Sequence, residues 1–113
     1  MKLINVRQYP RGLPEGAIYI GRANPRRGFR TSPVANPFEI TGNRSREVVI
    51  YQFEAWLEAQ LRLDDPDVWR WFRELPEDAT LACWCAPERC HGDVLIRKWR
   101  ELRDAGKLDQ IAP

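Results

Sequence analysis

No apolar run in this chain approaches the roughly 18 residues that a bilayer-spanning helix needs. The amino-terminal stretch, Met1-Lys-Leu-Ile-Asn-Val6, also lacks the apolar core of a secretory signal peptide. No membrane contact is expected, and the cytoplasm is the expected compartment. Neither sign of charge is in excess. Eighteen Lys and Arg face 16 Asp and Glu, for a net +2, too small a field to imply a nucleic-acid partner by itself. Cysteine is sparse and odd in number, with three in 113 residues. In a reducing compartment that argues for thiols or metal ligands rather than a disulfide framework. There is one histidine, no internal repeat and no low-complexity tract.

What is present suits one globular domain over residues 1–113. The apolar share of 43% is ordinary for a folded chain, and five tryptophans supply large pieces for one core. Leu3-Ile-Asn-Val6 and Ala17-Ile-Tyr-Ile20 read as short strands, divided by a loop rich in Pro and Gly. Arg46 to Leu61 places Val49, Phe53, Trp56, Leu57 and Leu61 at helical spacing behind Ser45, a good cap. Asp65 and Pro66 start a second helix carrying Val68, Trp69, Phe72 and Leu75. Ala79-Thr-Leu-Ala-Cys83 reads as a central strand. A last helix then carries Val94, Leu95, Trp99 and Leu102, with Gly106 as its stop. The tail Lys107–Pro113 carries no signal. Strands alternating with helices predict a small α/β domain, with a short, largely parallel sheet packed by about three helices. Ligands of such domains sit beyond the carboxyl ends of the strands.

Between Gly21 and Arg46 no periodicity appears. Six arginines (Arg22, Arg26, Arg27, Arg30, Arg44 and Arg46) face a single acid, Glu39. A loop this long is either a solvated surface segment or a binding loop whose guanidinium groups grip phosphate or carboxylate. In the second case Asn36-Pro-Phe38 anchors it, with Phe38 buried and the Asn36 amide free.

All three cysteines and the only histidine fall between Cys83 and His91, in a loop between the central strand and the last helix. Four readings stand side by side. Cys83, Cys85, Cys90 and His91 are the right number of ligands for structural zinc, but ligands within nine residues are cramped for it. Alternatively, Cys90 sits at a helix amino terminus beside Arg89, where the thiolate is favoured. His91 and Asp93 would then serve as proton carrier and base, and Cys90, His91 and Asp93 form a catalytic set. Third, backbone N–H groups around Cys90–Asp93 face an anion, with Cys83 and Cys85 in the wall. Last, the cysteines are small apolar core residues and the loop only shapes the fold.

Cys83-Trp-Cys-Ala-Pro-Glu-Arg-Cys-His-Gly-Asp-Val-Leu95 resembles the signature of a family found in bacteria and phages, domain-of-unknown-function family 4326. Ile4-Asn-Val-Arg7, Tyr19-Ile-Gly-Arg22 and Asn36-Pro-Phe38 resemble its other blocks, in the same order, so that the likeness covers about residues 3–103. It implies a compact α/β domain of bacterial or phage origin and no particular activity. The leading expectation is a domain that binds a small phosphate- or nucleotide-like ligand, with processing of that ligand as the further expectation. In that reading Arg7, Arg22 and Asn36 recognise the ligand, and Cys83, Cys85, Cys90, His91 and Asp93 form the reactive wall. No cofactor is required by this reading; zinc is the alternative. The competing class is a non-enzymatic module that binds a host protein, and nucleic-acid binding ranks lowest.

Overall fold

In the computed structural model, whose description covers residues 1–109, the apolar run Thr80–Cys83 is the middle strand of a three-stranded parallel sheet. Strand β1 spans Lys2–Asn5, β2 Ile18–Tyr19 and β3 Thr80–Cys83, in the order β1–β3–β2. Lys2 pairs with Thr80 and Asn5 with Cys83 on one edge of β3. Ile18 pairs with Leu81 and Tyr19 with Ala82 on the other. A parallel strand with neighbours on both edges has little contact with water, which suits its unbroken apolar sequence. Leu81 and Ala82 are fully buried, and Cys83 nearly so.

Three helices surround the sheet: α1 Arg46–Arg62, α2 Pro66–Glu74 and α3 His91–Asp104. Their ends follow from local chemistry. Ser45 Oγ accepts the Val48 N–H (3.2 Å), and Asp65 accepts those of Asp67 and Val68 (3.0 and 3.1 Å). At the far end of α3, Gly106 adopts φ +73 and its N–H donates to Arg103, while Lys107 donates to Leu102. This 5→2, 6→1 pair is a Schellman closure, which a residue with a Cβ makes at a cost. Phe53 and Leu57 of α1, Phe72 of α2 and Leu95 of α3 are fully buried in one core with Leu81. Arg97 and Lys98 of α3 pair with Glu54 and Glu58 of α1 along the exposed seam.

Three local expectations need correction. Val6 belongs to a 3-10 turn, Val6–Gln8, because the Asn5 side chain accepts the Arg7 N–H (2.9 Å) and bends the chain out of the strand. Strand β2 shrinks to Ile18–Tyr19, although Ile20 N–H still donates to Ala82 (3.0 Å). The arginine-rich loop is exposed over most of its length but is tied down at two places. A 3-10 turn at Pro25–Arg27 is closed by paired bonds between Asn24 and Phe29, and Val34 is fully buried in the main core. Val34, not the half-buried Phe38, is the anchor. The last four residues of the Lys107–Pro113 tail lie outside the described residues.

Leu57 is sealed within this core, so Leu57→Ala should remove about 2–5 kcal/mol of stability, measured as a lowered urea midpoint with an unchanged slope.

Candidate functional site

The carboxyl ends of β2 and β3 open into a cleft of about 360 Å³. Gly21 and Arg22 follow β2, and Cys83, Trp84 and Cys85 end β3. Arg46, Val49 and Ile50 come from the first turns of α1, and Cys90 and His91 from the start of α3. Asn36, Phe38, Glu39 and Ile40 of the arginine-rich loop also line it. The Cys/His loop and the arginine-rich loop therefore face each other across one space. Most of its surface is apolar, with guanidinium groups of Arg22, Arg46 and Arg89 among the lining.

The Cys/His loop is held from β1. Asn5 Nδ2 donates to the carbonyls of Ala86 (2.8 Å) and Trp84 (3.3 Å), while its Oδ1 accepts the Arg7 N–H. One amide thus ties the end of β1 to a loop about 80 residues on. Sequence reasoning treated Asn5 as part of a strand. The signal was its polarity inside the run Leu3-Ile-Asn-Val6. Asn5→Ala leaves two carbonyls without their donor and should lower stability by about 1–3 kcal/mol, read by chemical denaturation.

Cys83 and Cys90 form a buried pair. The Cys83 thiol donates to the Ile4 carbonyl (3.6 Å) and its sulfur accepts the Ala86 N–H (3.4 Å), with the Cys90 thiol close enough to shift its titration. Cys90 is the N-cap of α3: its sulfur accepts the Gly92 N–H (3.3 Å), and Asp93 accepts the Cys90 N–H (3.0 Å) in return. Hydrogen bonding from Cys90, helped by backbone N–H donors, lowers the Cys83 thiol from 9.0 to about 6. The same interaction and burial push Cys90 far up. The pair gives up one proton easily and the second with great difficulty. Between about pH 6 and 9 the folded pair lacks a proton that the unfolded chain keeps, so stability rises with pH. Above 9 the unfolded chain loses both protons while the folded pair retains one, so stability falls. The wild-type margin over Cys83→Ala in urea denaturation should therefore peak near pH 9. A flat difference between pH 5.5 and 10 would contradict the shared proton.

The expected catalytic set divides. Cys90 is committed to the cap and to Cys83. Asp93 is exposed and turned to a different groove, against Lys2, Pro87 and Arg97; its carboxylate closes the capping box. His91 does line the cleft, 9% exposed, with Nε2 2.8 Å from the Ile20 carbonyl and its ring edge-on to Phe53 (5.1 Å). Burial first, then the positive charge of Arg22, lowers its pKa below the usual 6.5, so the ring is neutral at pH 7. Cys85 is the half-buried thiol of the three. It hydrogen-bonds Arg46, whose pKa that bond raises further. Among the described residues no three Cys, His, Asp or Glu side chains gather about a point that would hold a metal. For the zinc candidates Cys83, Cys85, Cys90 and His91 the reason is local: Cys83 and Cys90 face each other, Cys85 faces Arg46, and His91 faces Ile20.

The recognition residues divide as well. Arg22 and Asn36 line the cleft, with Asn36 Oδ1 accepting the Phe38 N–H (2.9 Å). Arg7 is not in the cleft wall; its guanidinium lies 5.9 Å from the Trp84 ring centre. Sequence reasoning counted Arg46 among the six arginines of the loop without singling it out, and placed Arg89 only beside Cys90. Arg46 reaches the Arg89 carbonyl (3.0 Å) and pairs with Glu88 (2.9 Å), while Arg89 pairs back to Glu47 (2.8 Å). Two crossed ion pairs thus clasp the Cys/His loop to the start of α1. Only the folded chain brings these residues together, 43 positions apart in the case of Arg46 and Arg89.

The fold and cleft define a small α/β domain with a pocket at the carboxyl ends of a parallel sheet. The family model described as Domain of unknown function (DUF4326) matches residues 4–101, and the chain belongs to that family, as its sequence blocks implied. No curated protein and no solved structure matches the chain. Among the described residues no helix is long and apolar enough to cross a membrane.

Proposed function

We propose that the cleft binds a small phosphate- or nucleotide-like ligand. The observation that carries this reading is the set of three guanidinium groups, Arg22, Arg46 and Arg89, in the wall of a largely apolar cleft of about 360 Å³. That size lies at the lower end of small-molecule sites. Each arginine already holds a carboxylate: Glu39 at 2.5 Å, Glu88 at 2.9 Å and Glu47 at 2.8 Å. The carboxylates are 61–68% exposed, and solvated pairs of this kind contribute about 0–1 kcal/mol. A phosphate oxyanion, with more charge and room for paired N–H donors, can exchange for them at little expense. The groups suited to processing a bound ligand are Cys85 and His91, since Cys90 and Asp93 are taken by the helix cap.

A second reading, a module that docks a host protein, draws on Val48 and Tyr51. These stand three residues apart on α1, 44% and 73% exposed.

The first reading predicts a raised Tm with nucleoside monophosphates or sugar phosphates at millimolar concentration. Arg46→Ala should abolish the shift, and Arg26→Ala, outside the cleft, should leave it intact. Tyr51→Glu should disturb only the docking function. No shift with any phosphate compound would overturn the ligand reading.

A further inference from the structure

We infer that His91 Nδ1 is the acceptor within the cleft for an N–H donor on the ligand's ring, which makes the ligand a nucleoside phosphate rather than a bare sugar phosphate. The inference rests on the proposed ligand site and deepens it.

The argument begins with the other ring nitrogen. A carbonyl oxygen only accepts, so the 2.8 Å contact with Ile20 places the proton on Nε2. Nδ1 is then a lone-pair acceptor. It makes no hydrogen bond among the described residues, yet it is not sealed: the sealed, unpartnered side-chain atoms are Gln52 Oε1 and Trp99 Nε1. The ring therefore meets open space at Nδ1, and the cleft is the space that His91 lines.

The ring cannot readily swing to find a partner elsewhere. It is nine-tenths buried, held edge-on against Phe53 at 5.1 Å, and sits at the first position of α3. A neutral imidazole fixed in one tautomer offers a donor-seeking atom and nothing else. Phe38, Val49, Ile50 and Trp84 give the cleft an apolar wall against which a flat ring can pack. The arginines stand in the same wall, where a ligand's phosphate can pair with them. An apolar slot with one fixed acceptor and nearby guanidinium groups matches a nucleobase carrying an amino or imide N–H and joined to a phosphate. A sugar phosphate satisfies the arginines but leaves the slot empty.

The test uses the full chain and five compounds: AMP, GMP, CMP, UMP and ribose 5-phosphate. Affinities are measured for the wild type and for His91→Phe, which keeps a ring against Phe53 and removes the acceptor. At least one nucleotide should bind the wild type about tenfold or more tighter than ribose 5-phosphate, as expected where a site is built to take a hydrogen-bond donor. That margin should vanish in His91→Phe. Equal binding of ribose 5-phosphate and all four nucleotides would overturn the inference and leave the phosphate reading standing. Absence of binding by all five would overturn both. Should His91→Phe fail to fold, the imidazole ¹⁵N resonances of the wild type decide. On saturation with the tightest nucleotide the Nδ1 signal should move in the direction of an accepted hydrogen bond and Nε2 should stay protonated. An unmoved Nδ1 signal would overturn the assignment.

Discussion

Everything in this domain depends on β3 having a parallel partner along each edge. The ladder fixes Asn5 opposite Cys83 and Tyr19 opposite Ala82, so the three carboxyl ends come level. The polar and reactive residues that follow each strand are then delivered to one end of the sheet. Gly21 and Arg22 arrive from β2, Cys83 to Cys85 from β3, and the Asn5 amide from β1. Helices α1 and α3 add their amino termini at the same end.

Within the Cys/His block, chemistry and architecture are divided between neighbours. Cys83 and Cys90 sit together in the interior, and Cys90 caps α3, a task usually given to an oxygen-bearing side chain. Gly92 lets that first turn lie close to the sheet: a Cβ there would come within 2.5 Å of Leu3 Cδ2 and 3.0 Å of Ile20 Cδ1. His91, between them, is pressed inward against Phe53 and shows one face to the cleft. The same turn therefore explains why some members of the block are structural and others are available to a ligand.

Helices, strand positions and the end of the sheet at which the cleft opens were legible in the sequence because each rests on local signals. The spacing from Val49 to Leu61, the Asp65–Pro66 start and the Gly106 stop are all short-range. Roles that depend on where side chains meet were not legible. Arg7 looked equivalent to Arg22, yet the 3-10 turn after Asn5 carries it to the Trp84 ring. Asp93 looked like part of a reactive wall, but its N3 position on α3 directs it to the cap. Arg46 read as the first residue of a helix, and its contact with Cys85 and Glu88 exists only after the Cys/His loop folds back. Phe38 was chosen as an anchor on size. The Ser32 N–H bond to the Gly21 carbonyl brings Val34 into the core instead.

The strand order also sets a schedule. Consecutive strands β1 and β2 do not touch in the sheet; Ile18 waits for Leu81, 63 positions on, and Lys2 for Thr80, 78 positions on. No sheet hydrogen bond can form while the first half of the chain is alone. During synthesis, α1 and α2 emerge before either edge strand has a partner, and the arrival of residues 80–83 closes both ladders together. Loop-closure entropy must be overcome before any of that pairing is rewarded, so assembly of the sheet, and of the cleft at its end, is late and concerted.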